Sequence, residues 1–408
     1  MKILHVMTEF PCPPNDGIRA DIWSRLRSMS RLGYSIDVLV MKSKVMPEER
    51  HIAQIRGLVN RLHFVERRPL LRCLATVTPT DVVRNGMLAD VQLTEHYDLT
   101  LAERDSAFPI FNNPRLKTKL RVLGIHDNEV TRMRASAQAE ERLLKRQLYR
   151  LEALRFGPFS RSAYHHVDSL WFSSQSECQQ FRATQTAVAT RAEWLPPAIE
   201  FGNEPKRYGA QSKRVLYVAS LHIPLNREAL RWYLKQIHVR LAQDPDYQLV
   251  VAGSTRGGGA RGGHFAQLFA EEIRREKRCS VHVDVEDLTS LYDDCSVFVN
   301  PMQRGAGIKV KNLHAIERRL PVVTTSVGND GSGFIEKEHV RVADTPVEFA
   351  SAITELLNDN KSRAQMAARA YCYLITHYDC EANIHRLVTS LASQTTPLAK
   401  AINSDHCE

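Results

Sequence analysis

The sequence of 408 residues has no run of roughly 20 apolar residues, so it predicts no helix that could cross a membrane. The opening residues, MKILHVMTEF, lack an apolar segment of signal-peptide length and a small-residue cleavage site, so we expect a cytoplasmic protein. The cysteines show neither a CxxC pair nor the Cys/His spacing of a zinc site, so we expect reduced thiols and no metal centre. The eight cysteines are Cys12, Cys73, Cys178, Cys279, Cys295, Cys372, Cys380 and Cys407.

Acidic residues are outnumbered by basic ones, 46 against 55, and the net charge of +9 predicts an anionic partner. A nucleotide, a lipid headgroup and a nucleic acid all fit that charge. Aromatic residues make up only 7% of the chain and are not clearly interleaved with a basic face, which disfavours nucleic acid. A glycine-rich loop over 253–263 contains arginines but lacks the Gly-Lys-Ser/Thr ending of a P-loop, so we interpret it as a flexible loop.

Apolar runs of strand length alternate with amphipathic helical patterns in the first half of the chain. A turn rich in proline and glycine over 11–17 separates the first strand from a helix in which Ile18, Ile22 and Leu26 begin an apolar repeat. Such alternation predicts a parallel sheet covered by helices on both faces. The strands predicted here are 2–7, 36–41, 97–101 and 119–125, followed by a long charged helical region over 129–156.

A second series of strands and helices follows a polar stretch near residue 203. We therefore predict an α/β protein with two doubly wound, Rossmann-like domains that face a central cleft. The predicted domains are 1–197 and 198–376, with a helix over 377–394 that packs back onto the first domain and a polar tail over 395–408. In the second half, the predicted strands are 214–219, 247–252, 296–300 and 322–325, with helices over 226–242 and 309–319.

The segment over 300–315, NPMQRGAGIKVKNLHA, has the pattern of a strand that runs through a glycine-rich turn into a helix. Such a turn leaves backbone N–H groups free at the positive end of the helix, where Arg304, Lys309 and Lys311 add three cations. A diphosphate site and a tight turn with solvated basic residues both fit this pattern. A second turn of the same type, TTSVGNDG over 324–331, favours the site.

Four segments carry a family resemblance: PCPPNDGIRADI and GIHDNEV in the first half, and RVLYVASLHIPLNREALRWYL and GAGIKVKNLHAIERRLPVVTTSVGNDG in the second. In this order they resemble the acceptor and donor regions of GT-B glycosyltransferases, in the large retaining group (family four) that uses nucleotide-sugars. The resemblance covers nearly the whole chain. It implies a nucleotide-sugar co-substrate, with no further cofactor and no metal.

The resemblance also implies roles for single residues. It assigns Gly17 to the loop nearest the transferred sugar and His126 to the reaction centre. It assigns Arg304, Lys309 and Lys311 to the departing diphosphate, whose developing charge cations and a helix N-terminus can stabilise without a metal. The other residues assigned to the donor are Gly305, Gly307, His314, Val327, Gly328, Asn329, Asp330 and Gly331.

Some positions depart from the family pattern or allow a second interpretation. His314 stands where the family usually has a glutamate that binds the ribose hydroxyls, and Ala219 stands where it usually has a glycine. An imidazole cannot act as a bidentate anionic acceptor, so a catalytically weakened nucleotide-sugar-binding protein is an alternative. His126, at a strand end, could instead be a structural residue. The metal-dependent alternative would need an Asp-x-Asp motif, and Asp244-Pro245-Asp246 lies in a proline turn.

The sequence and its resemblance together predict a glycosyltransferase that moves a sugar from a nucleotide-sugar to a glycan or lipid-linked acceptor. The resemblance alone implies retention of the anomeric configuration, and the pattern does not identify the sugar. We expect a role in cell-surface polysaccharide or glycoconjugate synthesis and no nucleic-acid partner. The basic region over 132–161, with Leu144, Leu148 and Leu151 in an apolar line, is typical of a surface helix with a buried stripe. It is also typical of a helix that lies on an anionic membrane, here the inner leaflet.

Overall fold

The computed structural model describes residues 1–14, 17–43, 46–73, 76–140, 142–184, 190–199, 212–256, 259–285 and 287–394. The strands are β1 (Lys2–Met7), β2 (Ser35–Met41), β3 (Arg61–Val65), β4 (His96–Glu103), β5 (Lys117–Ile125), β6 (Ser169–Phe172), β7 (Arg191–Trp194), β8 (Arg214–Val218), β9 (Gln248–Gly253), β10 (Cys279–Val283), β11 (Val297–Asn300), β12 (Val322–Thr324) and β13 (Arg341–Val342).

The helices alternate with these strands along the chain. They are α1 (Gly17–Arg31), α2 (Glu49–Arg56), α3 (Thr80–Arg84), α4 (Glu129–Ala139), α5 (Leu143–Tyr164), α6 (Gln175–Thr184), α7 (Pro224–Tyr233), α8 (Val239–Leu241), α9 (Gly259–Arg274), α10 (Thr289–Asp294), α11 (Val310–Glu317), α12 (Ser326–Asn329), α13 (Pro346–Asn358), α14 (Asn360–His377) and α15 (Cys380–Gln394). Short 3-10 helices are Leu70–Cys73, Gly86–Asp90 and Asp105–Asn112, and a π-helix, Leu234–His238, joins α7 to α8.

The first sheet contains seven parallel strands in the order β3-β2-β1-β4-β5-β6-β7. Strand β1 lies inside it, with Ile3 opposite Ile36 of β2 on one side and Leu99 of β4 on the other. Nearly every side chain of β1 and β2 is buried, because helices cover both faces of the sheet. The carboxyl ends of all seven strands therefore lie at one edge, where a ligand-binding crevice is expected at the switch point between β1 and β4.

The second sheet contains six strands in the order β10-β9-β8-β11-β12-β13, also parallel. Its switch point lies between β8 and β11, the two strands that precede α7 and the glycine-rich turn. Two parallel α/β sheets are the architecture that the apolar pattern predicts, so the predicted fold class is confirmed.

Helix α15 packs on the first sheet's helix α1, although it follows the second sheet in the chain. Ile384 and Leu387 lie in one apolar cluster with Ile22 and Leu26. The chain therefore passes between the two sheets twice, once before β8 and once before α15. The domain boundary at residues 197/198 stays a prediction, because residues 200–211 lie outside the described part of the chain.

The sequence pattern missed five strands, and four of them, β3, β7, β10 and β13, are edge strands. Edge strands are short or partly exposed, so they show no continuous apolar run. The predicted long helix after β5 is divided into α4 and α5, because the backbone is extended at Glu140. The flexible loop expected over 253–263 is shorter than predicted, since α9 begins at Gly259; residues 257 and 258 lie outside the described residues.

In the part of the chain that the structure describes, no helix is long and apolar enough to span a membrane. Within the same residues, no group of three or more His, Cys, Asp or Glu side chains is arranged to hold a metal ion. Asp244 of the Asp-Pro-Asp turn pairs instead with Lys213, whose Nζ lies 2.7 Å from its Oδ2.

Candidate functional site

The loops that follow the strands of the two sheets contact each other, and we call the region around these contacts the cleft. On the first-domain side, the Ser176 hydroxyl donates a 2.7 Å hydrogen bond to Asp330 Oδ1 of the second domain. The backbone N–H of Gln175 donates to the Gly331 carbonyl at 2.9 Å. The carboxyl edges of the two sheets therefore meet at one site, as the predicted architecture requires.

Gly307 is the point where the glycine-rich turn touches the first domain. A β-carbon at this position would lie 1.8 Å from Asp127 Oδ1, and the residue has a φ of +66°. Only glycine combines this backbone conformation with so close an approach. Gly17 lies at the other end of the contact, where a β-carbon would meet Val310 of α11 at 3.3 Å. Two of the predicted site glycines thus lie on opposite sides of the cleft.

A buried network of charged side chains forms the first-domain wall. Glu103, at the end of β4, lies with its carboxylate 2.9 Å from His5 Nε2 and 2.7 Å from His126 Nε2. Arg25 donates to Glu103 at 3.1 Å and forms an ion pair with Asp21 at 2.7 Å. His126 Nδ1 lies 3.3 Å from Asp21 Oδ2, so both nitrogens of its ring face carboxylates.

The network holds opposite charges together away from water. Burial alone would lower the pKa of His126, but Asp21 and Glu103 outweigh it and raise the pKa above its ordinary value. Burial alone would raise the pKa of Glu103, but Arg25 and the two imidazoles hold it well below its usual range. The arrangement favours a positively charged His126 and a negatively charged Glu103.

Lys309 lies at the beginning of α11, in the second-domain wall. Its ammonium donates to the carbonyls of Ala306 and Gly307 and so closes the glycine-rich turn. Burial lowers the pKa of Lys309, although the nearby carboxylates of Asp127 and Asp330 oppose that effect. A second predicted glycine, Gly305, adopts a φ of +136° within the same turn.

Lys311 and Arg304 both reach the first turns of α7. Lys311 Nζ donates a 3.1 Å hydrogen bond to Asn226 Oδ1 and lies 5.4 Å from the centre of the Tyr217 ring. Burial, together with the charge of Lys309, lowers the pKa of Lys311 to about 7. An exposed pair joins Arg304 to Glu228 Oε1 at 3.1 Å. Two predicted diphosphate ligands therefore both contact the N-terminal half of α7, at residues 226 and 228.

The turn over 327–331 is held by buried polar side chains from three different elements. Asn312 of α11 donates to the Gly328 carbonyl at 2.9 Å and accepts a 2.9 Å hydrogen bond from Asn300 of β11. Thr325 accepts from the Gly328 N–H at 2.9 Å and so caps α12. Hydrogen bonds from neighbouring elements therefore fix the turn that contains the predicted donor residues Val327, Gly328, Asn329, Asp330 and Gly331.

The structure brings most of the predicted site residues to one cleft, where some lie at the contact between the domains and others lie beside α7. Gly307 lies against Asp127, Lys309 lies near enough to Asp127 and Asp330 for their charges to affect its pKa, and Arg304 and Lys311 contact α7. His314 is an exposed residue on α11. The roles that the resemblance assigns to these residues stay predictions.

Sequence inspection missed the polar residues that support the site. Asp21 and Arg25 occupy buried positions of α1, among the apolar positions of that helix, and Glu103 is the last residue of a buried strand. A charged residue inside an apolar pattern is the signal that could have identified them, because such residues are rarely buried without a partner. Glu177 is a further case: its burial, together with Asp127 and Asp330, raises its pKa to about 7.

Comparison with known proteins shows what the chain is similar to. Residues 212–359 match the family model of the glycosyl transferases group 1. A protein of Klebsiella pneumoniae, described as an uncharacterized 44.6 kDa protein in the cps region, is 27% identical over 395 residues, which cover 93% of this chain and 96% of that protein.

Solved structures of similar architecture match over almost their whole length. TarM from S. aureus, in complex with fondaparinux, alpha-GlcNAc-glycerol and UDP, has a TM-score of 0.65 at 11% identity, covering 95% of this chain and 99% of its own. Sucrose-phosphate synthase from Thermosynechococcus elongatus has a TM-score of 0.66 at 16% identity, covering 97% and 99%. HepE from Anabaena, in complex with UDP and glucose, has a TM-score of 0.62 at 13% identity, covering 96% and 100%.

The chain therefore has the GT-B fold, and its residues 212–359 are similar to the group 1 glycosyl transferases. The resemblance of the second-half segments to this group is confirmed over residues 212–359, and the GT-B fold is confirmed for the whole chain.

Proposed function

We propose that this protein transfers a sugar from a nucleotide-sugar to a glycan or lipid-linked acceptor, with retention of configuration at the anomeric carbon. The observation that carries the proposal is the pair of cations, Arg304 and Lys311, beside the N-terminal turns of α7 and α11. Two helix N-termini and two cations form an environment that stabilises a diphosphate. UDP in the TarM and HepE structures supports a nucleotide-sugar as the donor.

The reaction depends mainly on stabilising the leaving group, and a strong base is less important. As the anomeric C–O bond breaks, its electron pair stays on the diphosphate oxygen, where Lys311 and Arg304 neutralise the developing charge. The acceptor oxygen bonds to the anomeric carbon on the face that the diphosphate leaves. Its proton passes to the departing phosphate oxygen. Neither a metal ion nor another cofactor is needed in this scheme.

The first-domain wall would hold the sugar and the acceptor. His126 and Glu103 are fixed by the buried network, so in this proposal His126 acts by its position and charge beside the sugar. Gly17 lies against Val310 of α11, so its loop is held next to the donor-side helix. The relative from a cps region supports cell-surface polysaccharide or glycoconjugate synthesis as the process. We place the reaction in the cytoplasm.

The first experiment is thermal unfolding with UDP, GDP, ADP, CMP and their common sugar conjugates. A ligand at about 100 times its Kd should add roughly 2.7 kcal/mol of stability, so one nucleotide should produce a selective increase in Tm. The stabilising nucleotide-sugar is then used in a turnover assay that measures release of the nucleoside diphosphate. If none of these nucleotides or conjugates raised the Tm, the result would contradict the donor site.

Lys311→Ala tests the proposed leaving-group contact. We expect kcat to fall by about 100-fold or more, the usual effect of removing one group that stabilises transition-state charge. The matched control is Lys235→Ala, an exposed lysine of the same domain, which should leave kcat unchanged. Equal turnover of the two variants, at equal Tm, would remove Lys311 from the site.

A catalytically weakened donor-binding protein is the second candidate, because His314 replaces the glutamate usual in the family. His314 is exposed on α11, so His314→Glu should fold normally. If the glutamate is what the site lacks, the variant should bind the nucleotide-sugar more tightly and turn it over faster. Nucleotide-sugar binding without turnover in the wild-type protein, across a range of acceptors, would favour this candidate.

A further inference from the structure

Helix α5 exposes an unusual row of leucines. Five of them, between 40% and 77% exposed, lie on the side of the helix opposite to its buried residues. The buried side consists of Ala153, Phe156 and Ala163. We call the exposed row the leucine face; it comprises Leu143, Leu144, Leu148, Leu151 and Leu154. The buried leucine stripe that the sequence suggested for this region is therefore wrong.

The same helix is strongly basic. Its 22 residues include five basic side chains and one acidic one. The acidic residue, Glu152, is turned toward α3, where its carboxylate accepts from the Thr80 hydroxyl at 2.7 Å and pairs with Arg155. Arg150 is exposed beside the leucines, and Lys145, also exposed, pairs with Glu140 at 2.7 Å. The helix thus combines an exposed apolar face with positive charge, which is the composition of helices that lie in a membrane interface.

We propose that the leucine face docks the first domain onto an anionic lipid surface. The leucines would enter the boundary between headgroups and acyl chains, while the basic side chains contact the headgroup phosphates. Charge argues against a second copy of the chain as the occupant. Two copies related by a two-fold axis would bring two basic α5 helices together, and their like charges would repel each other.

The position of α5 connects this surface to the cleft. Helix α4 begins directly after His126 and Asp127, and its residues Val130 and Met133 pack against Ala153 and Phe156 of α5. A docked α5 would therefore hold the cleft close to the bilayer. The inference does not rest on the proposed function, because vesicle binding is measured without donor or acceptor.

Vesicle flotation with the full chain tests the proposal. Vesicles of phosphatidylcholine with about one third phosphatidylglycerol are compared with vesicles of pure phosphatidylcholine, at low and at high salt. We expect binding to the anionic vesicles that weakens at high salt, because the Debye length shortens from about 10 Å at 0.1 M to about 3 Å at 1 M. Equal binding to neutral and anionic vesicles, or no binding to either, would overturn the proposal.

The double variant Leu144→Ser with Leu154→Ser tests the face itself. It should bind anionic vesicles at least about tenfold more weakly, because each inserted leucine strengthens partitioning by roughly that factor. The matched control is Phe265→Ser with Leu268→Ser, two similarly exposed apolar residues on α9, which should bind like the wild type. Unchanged binding of the leucine variant would contradict the proposal. So would a wild-type dimer, seen by light scattering, that the leucine variant converts to a monomer.

Discussion

Glu103 is the carboxylate around which the first-domain wall is built, so we expect Glu103→Gln to destabilise that domain by about 3–5 kcal/mol. The side chain is fully buried and lies within 3.1 Å of groups on His5, Arg25 and His126. Glutamine keeps the size and one acceptor oxygen but removes the negative charge. A hydrogen bond to a charged group contributes about 1.5–3 kcal/mol, and at least two such contacts are weakened.

The pH dependence of stability provides a second test of the same substitution. The pKa of Glu103 is held well below its ordinary value of 4.5, so its contribution is present above that pH and is lost as pH falls through the folded value. The pKa of His126 is raised above 6.5, so its contribution is complete below that pH and is lost as pH rises through the folded value. Glu103→Gln removes one partner of His126, so the variant should lose less stability above pH 6.5 than the wild type does.

Urea unfolding at several pH values measures both effects. Tryptophan fluorescence serves as the reporter, because three of the four tryptophans, including the buried Trp171 of β6, belong to the predicted first domain. The control is Glu66→Gln, an exposed carboxylate paired with Lys42, which should change the free energy of unfolding by less than about 1 kcal/mol. A loss for Glu103→Gln no larger than the loss for Glu66→Gln would refute the reasoning. An unchanged slope above pH 6.5 would refute the role given to His126.

Three further predictions concern the second domain and its contact with the first. Gly307→Ala should lower turnover strongly while the Tm falls little, because its β-carbon would lie 1.8 Å from Asp127 Oδ1, at the contact between the domains. A large fall in Tm, or unchanged turnover, would contradict this. Binding of UDP, measured by calorimetry, should weaken as pH rises from 6 to 8, because the pKa of Lys311 is about 7 and the lysine loses its charge over that range. Thr345→Ala should cost about 1 kcal/mol in urea unfolding, because Thr345 and Glu348 form a capping box; an unchanged free energy would oppose this.

The architecture could be predicted because the inner strands, except the four-residue β6 that the pattern missed, are continuous apolar runs. Strand β1 has the predicted bounds, and β2, β4, β5, β9 and β11 differ from them by at most a few residues. The edge strands could not be predicted in this way, because one side of an edge strand has no neighbour and its residues need not be apolar. The break between α4 and α5 was also invisible, since the charged pattern of the region continues through Glu140.

The candidate site could be predicted only in part, because sequence spacing shows local turns but not their distant partners. The glycine-rich turn and its lysines form one contiguous segment, and the structure brings that segment to the cleft. The partners of His126 are different: Asp21 and Glu103 lie more than twenty positions away, on another helix and another strand. Only the parallel topology, which collects strand ends at one edge, brings these three residues together.

The two walls of the cleft depend on each other through a few close contacts. Gly307 can approach Asp127 only without a side chain, and Gly331 likewise lies against Ser174, where a β-carbon would be 2.2 Å from the hydroxyl. The turn that carries Gly331 is fixed by Asn312, on the same helix as Lys311. A change in the distance between the domains would therefore move the donor-side turns relative to the buried network of the first domain. The geometry of the site therefore depends on the distance between the two domains. Because glycines allow the domains to approach this closely, they are as important to the geometry as the charged residues.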